Sequence, residues 1–436
     1  MYKVLQALKN TAKLTFAGVL LCCGLSHSEA IAQNNSTESP YTRFGLGKVE
    51  SPSLSFNRAI GGIGAGLRDR NMINPINPAS YSAVDSMTFM MDFGVSMGQY
   101  WASSNNESNH RTLGNFDYLT MLFPVAHRLG VSIGVLPVST SGYLFGNIQP
   151  IEGAEGQTYR KAYNGTGNLN KLYLGLAYAP FEYLSVGLNG EFYFGSFSHQ
   201  RRISYSTGLA LDPTFSSKLT MKAGSVNVGV QGKIPIGNKQ SLTVGLTYTP
   251  KVKMHSTLYE QKFMTSGNAV VEMTSGDTIS GHGLYELPHS FTAGMTYEIS
   301  NKLMVGADVG YALWKDVTFA DDVAQLQNMW KVSAGLQYIP NADDGSLLKK
   351  IRYRFGAHAN NSYLKLPVNG GFNGYHELGV SAGLGIPLVD RRSFLQIAFE
   401  YSHLLPAVSA MPSENTIRLT LGVTFNEGWF KKHKIN

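Results

Sequence analysis

From about residue 86 to its end, the chain alternates apolar and polar positions with a period of two. In 242–249 the apolar set Leu242, Val244, Leu246 and Tyr248 interleaves with Thr243, Gly245, Thr247 and Thr249, and Leu378, Val380, Ala382, Leu384 and Ile386 repeat the pattern. Successive side chains of a strand point to opposite faces, so each such segment carries one greasy face and one polar face. Gly, Asn, Pro and Asp punctuation divides this region into about fourteen strands, from 87–101 to 415–425, with 240–263, 279–299 and 303–318 among them. Tight connectors at 124–126, 180–182, 235–239, 300–302, 340–349 and 388–392 alternate with longer ones such as 102–111, 147–165, 265–278 and 406–414. A transmembrane β-barrel shows both features, with short turns on the periplasmic side and long loops outside. The even strand count then places both termini in the periplasm.

Parity assigns the charges. With Leu303, Val305, Ala307, Val309 and Tyr311 facing lipid, Asp308 faces the lumen, and the same count sends Asp92, Glu191, Glu298, Lys331, Arg352, Arg354, His358, Glu400 and Arg418 inward. A charge on the lipid face costs about 2–4 kcal/mol at the midplane, so this segregation is what a membrane barrel requires. Asp92, Glu191, Asp308, Arg354, Glu400 and Arg418 are the expected luminal polar network, with Asp92 and Glu400 flanking Arg418. Hydrocarbon also demands a closed sheet, so the first and last strands should pair. The last strand is cleanly amphipathic, with Ile417, Leu419, Leu421, Val423 and Phe425 alternating with Arg418, Thr420, Gly422 and Thr424.

The N-terminus changes the compartment. Lys3, Lys9 and Lys13 precede the apolar run 14–25, and Ala30-Ile31-Ala32 offers a small-x-small cleavage site, so residues 1–32 read as an export signal. Both cysteines, Cys22 and Cys23, fall inside it, so the exported chain has no thiol chemistry to offer. Loss of three lysines and Glu29 leaves 33 basic and 28 acidic residues, a mild +5 without the clustering of a nucleic-acid groove. No exported stretch approaches the ~20 consecutive apolar residues of a spanning helix. The histidines show no metal-ligand spacing, Gly62-x-Gly64-x-Gly66 lacks the preceding strand of a dinucleotide loop, and no Gly-x-Ser-x-Gly elbow occurs. Neither an enzyme nor a cofactor is expected.

Residues 33–84 have few strand signals, several glycines and the Asn74-Pro75 and Asn77-Pro78 breaks, as an irregular plug would. Gly61-Gly62-Ile63-Gly64 and Asn77-Pro78-Ala79 before the first strand resemble the FadL/TodX-type outer-membrane transporters of hydrophobic compounds. So do Leu287-Pro288, Tyr311–Trp314, Arg354–Gly356, Asn369-Gly370 and Gly383–Pro387. The resemblance implies an all-β, fourteen-stranded outer-membrane barrel over 85–436, with 33–84 as a hatch that includes Gly61, Gly62, Gly64, Asn77, Pro78 and Ala79. It also implies passive uptake of a long-chain fatty acid or similar ligand, released sideways through a gap beside a kinked strand. Pro137 and Gly142 in the third strand are the candidate kink, since proline removes a ladder hydrogen bond. Partners are then outer-membrane lipid and a hydrophobic small molecule. Some branches of the resembled family act instead as accessory subunits of type IX-like secretion or barrel-insertion complexes, and that alternative stays open with other envelope proteins as partners.

Overall fold

The computed structural model describes residues 37–436 except 105–106, 155, 207–210, 238, 267–268, 274–275, 321–323, 389–391 and 429–436. The export-signal reading lies outside the described residues. Strands in chain order are β1 (Lys48–Val49), β2 (Thr88–Ser104), β3 (Glu107–Ala126), β4 (Leu129–Pro150), β5 (Thr158–Phe181), β6 (Leu184–Tyr205) and β7 (Asp212–Gly237). They continue as β8 (Gln240–Thr249), β9 (Val252–Ser266), β10 (Ala269–Met273), β11 (Asp277–Leu287), β12 (Ser290–Ile299), β13 (Leu303–Ala312) and β14 (Gln325–Leu326). The last are β15 (Met329–Tyr338), β16 (Arg352–Asn361), β17 (Leu364–Val368), β18 (Gly371–Asn373), β19 (Tyr375–Pro387), β20 (Phe394–Pro406) and β21 (Ser413–Gly428).

The main sheet closes as a fourteen-stranded antiparallel barrel. β8 with β9, and β11 with β12, each form one wall position broken near its middle. Closure is made by β2 against β21, from Thr88↔Gly428 to Ser103↔Ser413. Outward positions are apolar and exposed, as at Leu174, Leu246, Val309 and Val380. Exposed Trp101, Tyr248, Phe291, Tyr311 and Trp330 ring the long-connector end, and Phe181, Tyr183, Tyr338 and Phe425 the short-turn end. Such aromatic girdles mark the two membrane interfaces of a barrel.

Four expectations need correction. The segment 102–111 is not a loop, because β2 and β3 run on to Ser104↔Glu107. Most of the expected length in the long connectors is strand: β4 to β7 have 22, 24, 22 and 26 residues. About 9–11 suffice to span, so these strands rise well above the membrane. Finally, 240–263 and 279–299 are not continuous, because Pro250 and Pro288 cannot donate to the ladder and interrupt it. The strand expected over 303–318 likewise ends at Ala312 and gives way to a 3-10 turn at Trp314–Asp316.

Residues 37–84 run inside the barrel, through a 3-10 turn Pro40–Arg43, β1, a short helix Ser55–Arg58 and a second 3-10 turn Pro78–Ala83. Thr37 packs on Gly142 in the long-connector half. Leu54, Phe56, Ile60, Ile63 and Ile73 form a buried apolar cluster with Tyr81, Met90 and Tyr118. The wall makes room for this segment with glycine. A Cβ on Gly245 would sit 1.8 Å from the Ala65 carbonyl oxygen, and one on Gly356 2.0 Å from the Gly61 nitrogen. The closing register is directly testable. Val95 and Leu421 face each other across β2 and β21, so a Val95→Cys/Leu421→Cys chain should crosslink on oxidation and shift in denaturing gel electrophoresis. An Asp92→Cys/Arg418→Cys chain should not, because Asp92 lies opposite Thr424 and Arg418 opposite Gly98.

Candidate functional site: a seam in the wall and the segment that fills it

β3 and β4 pair from Ala126↔Leu129 to Leu119↔Val135 and then part. Above that level β3 pairs only with β2, whereas β4 pairs with β5 and with β1. Each strand carries a bulge at the parting point. In β3 the register slips between Gly94↔Tyr118 and Val95↔Phe116, leaving Asp117 as the extra residue, and in β4 it slips between Pro137↔Asn170 and Ser139↔Leu169. A bulge bends its strand and raises the local twist, so two bulges at one height turn the edges apart. Pro137 therefore lies at the divergence, and Gly142 on the freed edge above it.

The luminal chain covers that edge. β1 adds antiparallel to β4 through Lys48↔Thr140 and Val49↔Ser139, and the Glu50 amide donates to the Val138 carbonyl at 2.8 Å. Higher up, the Gly142 amide donates to Thr42 Oγ1 at 3.1 Å and Ser141 Oγ donates to the Thr42 carbonyl at 2.7 Å. Gly47 is required, since its φ is +73° and a Cβ would lie 2.3 Å from the Thr140 carbonyl oxygen. Residues 37–50 thus form a strap along the inner lip of the seam.

Ion pairs tie the strap and the next turn to β19, β20 and β21, and to Asp117 on the other lip of the seam. Lys48 pairs with Glu377 at 2.9 Å, Glu50 with Arg418 at 3.6 Å, and Arg58 with Asp117 at 3.7 Å and Glu400 at 3.6 Å. They surround a cavity of about 210 Å3. Burial pushes the Glu50 carboxyl up, yet Arg418, Arg58 and Lys48 together hold it below the usual carboxylate range. Burial likewise works against the Arg58 guanidinium, but Asp117, Glu400 and Glu50 raise its pKa above the ordinary arginine value.

The residues expected as a single luminal network fall into separate groups. Glu400 and Arg418 are cross-strand partners. Asp92 accepts from Tyr118 at 2.8 Å and Thr424 at 2.5 Å, and it does not flank Arg418. Arg354 donates to Gln337 at 2.8 Å and Gln396 at 2.5 Å, and Glu191 accepts from Lys171 at 2.6 Å and Tyr193 at 2.5 Å. Asp308 takes the amides of Gly64 and Ala65 at 2.7 and 2.8 Å. Gly61 donates its amide to Ser381, and its φ of +73° is paired with close approach to the Ala334 and Ala357 carbonyls. Gly62 also has positive φ, at +82°. Asn77 caps the turn that begins at Pro78 by accepting from the Ala79 amide, and donates to the Ala65 and Val230 carbonyls. Sequence reading missed Lys48, Glu50, Arg58 and Glu377. Lys48 and Glu50 alternate around Val49 as an edge strand would, but two residues are too few for periodicity to register.

Behind the strap lies a second, greasier cavity of about 240 Å3. Val49, Pro137, Val138, Leu287, Trp314 and Met329 line its apolar part, and Lys171, Asn227, Asp308 and Lys331 its polar part, Lys331 donating to Ser51 at 3.2 Å. Above it, Tyr41, Leu46, Trp314, Phe319 and Tyr363 belong to an apolar cluster in the long-connector half. The cavity therefore ends against the strap and against β4 at the height where β4 leaves β3.

Replacing Arg58 with Met strands the buried Asp117 and the half-buried Glu400, and with Glu400 open to the cavity the loss should stay at or below the ~3–5 kcal/mol of a broken buried pair in urea unfolding in vesicles. The Glu50 pKa is depressed in the fold, so its contribution is complete above the free-carboxylate range near pH ~4 and disappears as pH falls below it. Limited proteolysis of 37–58 should therefore accelerate on acidification below that range.

Solved structures resemble this barrel at low identity. A Pseudomonas aeruginosa FadL homologue superposes with a TM-score of 0.61 at 10% identity, covering 89% of this chain and 100% of that one. The Pseudomonas putida toluene transporter TodX gives 0.56 at 14%, over 90% and 99%. The CymD monoaromatic hydrocarbon channel gives 0.52 at 18%, over 89% and 100%. Comparison with curated proteins found no match. The FadL/TodX resemblance thus holds as a likeness of fold. The BamG family model matches residues 13–436, nearly the whole chain. By sequence, this fourteen-stranded barrel with its strapped seam belongs to the BamG family.

Proposed function

We propose that this barrel sits in the outer membrane of a diderm bacterium with both termini periplasmic, and that it passes small hydrophobic compounds passively and sideways. The route runs from the apolar cavity behind the strap, through the seam between β3 and β4, into the bilayer. One observation carries the reading: the 240 Å3 cavity is walled on one side by Val49 of the strap and by Pro137 and Val138 of the diverging strand. Moving the strap joins cavity to seam. An apolar solute gains nothing from a water-filled pore and gains free energy on entering lipid directly. The volume falls below the ~300 Å3 lower bound of drug-sized pockets, so it suits a small hydrocarbon or part of an acyl chain. Residues 1–32 act as the export signal and 33–84 as the hatch. The hatch contacts of Gly61, Gly62, Gly64, Asn77, Pro78 and Ala79 are fixed supports, and Pro137 and Gly142 mark the lateral gap. Neither a cofactor nor a catalytic residue takes part.

Membership of the BamG family favours a second reading, in which the barrel is a non-transporting accessory subunit of an outer-membrane secretion or barrel-insertion complex. The tall extensions of β4 to β7 would then be docking walls. Val49 and Ser139 are register partners, so a Val49→Cys/Ser139→Cys disulfide locks the strap to β4. In proteoliposomes given a fluorescent fatty acid or toluene, oxidation should cut uptake at least about tenfold and reduction should restore it. Uptake that ignores the lock sinks the lateral route. Recovery of stoichiometric envelope proteins in a gentle-detergent pull-down, with no uptake by the reduced form, selects the second reading.

A further inference from the structure

The wall has a second discontinuity, independent of the seam and strap. β7 pairs with β8 up to Val228↔Tyr248 and with β9 from Lys222↔His255, so 223–227 lack a ladder partner on that side among the described residues. The cause is Pro250, which ends β8, standing across from Pro288, which ends β11, between the pairs Thr249↔Ser290 and Val252↔Leu287. On the outer surface this break opens a recess of about 810 Å3. Gly190 and Gly224 form its floor, and a Cβ on Gly224 would meet nothing within 4 Å.

The recess has two chemistries, stacked along the membrane normal. Its lower rim is Leu172, Leu174, Phe192 and Val226, all exposed at the top of the apolar belt. One or two outward positions higher come exposed Lys222, Lys253, His255 and His282. They are neighbours: Lys222 faces His255, His255 faces His282, and the two imidazoles lie 4.4 Å apart. Lys222 and Lys253 have no carboxylate within ion-pair distance among the described residues, whereas Lys251 is held by Glu286, and Glu191 by Lys171 and Tyr193. Between Lys218 and Val226 on β7, Lys253 and Tyr259 on β9, and Thr278 and His282 on β11, the outward positions carry no acid. A basic patch directly above an apolar belt attracts negative charge at the headgroup level.

We propose that this recess holds one anionic lipid of the outer leaflet. Its acyl chains lie on Leu172, Leu174, Phe192 and Val226, and its phosphates meet Lys222, Lys253 and the His255–His282 pair. The glycine floor lets the lipid lie directly on the broken wall, with no side chain in between.

Native mass spectrometry of the full barrel in mild detergent, with bis-phosphorylated lipid A or the same lipid stripped of phosphate, tests this. The phosphorylated lipid should stay bound, the stripped one should not, and inorganic phosphate should not displace it. Lys222→Gln/Lys253→Gln should lower retention about tenfold. Gly224→Phe, which fills the floor without changing charge, should do the same, with heat-modifiable gel mobility confirming that each variant is folded. Equal retention by either folded variant, equal binding of the stripped lipid, or displacement by inorganic phosphate would each overturn the proposal.

Discussion

Every strand edge at membrane depth must find a hydrogen-bond partner, because hydrocarbon offers none. That constraint closes the barrel through the long β2–β21 ladder, and it explains the strap. Where β3 and β4 turn apart at Asp117 and Pro137, β4 would present bare amides and carbonyls. β1 and Thr42 satisfy part of that edge from inside. The strap is therefore part of the wall as well as of the lumen, and anything that passes the seam must deal with the backbone groups the strap now satisfies.

Two kinds of contact hold the luminal segment. Below, Ala65 and Gly61 press backbone to backbone against the wall glycines Gly245 and Gly356, Asn77 sets its side-chain amide against Gly229 and Gly245, and Asp308 takes the Gly64 and Ala65 amides. Contacts of that sort are all or nothing, since a single methyl would occupy the same space. Above, Lys48, Glu50 and Arg58 meet carboxylates and an arginine around a polar cavity. Those pairs stand where small shifts can exchange a partner for water.

Much of the fold was legible because alternation along Leu242–Tyr248 or Ile417–Phe425 can mean only a strand with one apolar face, and inward charges such as Arg354 and Glu400 fixed which face. The breaks at Pro250 and Pro288 were written in the chain as prolines, but alternation on either side of them masked the interruption. Register was not legible. Asp92 and Arg418 do face one lumen, yet the β2–β21 pairing puts them opposite Thr424 and Gly98, and a count of parity carries no information about height. Pro137 was visible as a ladder breaker, whereas its counterpart, the Asp117 bulge, has no sequence mark. The charged anchor was hidden for a different reason: Arg58 reaches Asp117 and Glu400 across separations that no local pattern spans.

The channel and accessory readings differ in what the strap must do, and its energetics separate it from the rest of the luminal chain. Its ladder to β4 is two residue pairs and a few hydrogen bonds, each worth about 0.5–1.5 kcal/mol net. Its ion pairs border a cavity already large enough for water, so releasing Lys48 or Glu50 does not leave a charge in dry surroundings, and the desolvation penalty that makes broken buried pairs so costly is reduced. The glycine-packed turn at 59–66 has no such alternative: displacing it opens apolar voids around Ile60 and Ile63, both nearly inaccessible to solvent. The stretch held by that short ladder and those pairs alone is 48–50, which separates the apolar cavity from the seam, since Tyr41 and Leu46 are themselves buried in the apolar cluster above. A barrel built only as a rigid docking body would have no need to set so short a ladder, bordered by a water-sized cavity, at the seam where β3 and β4 part.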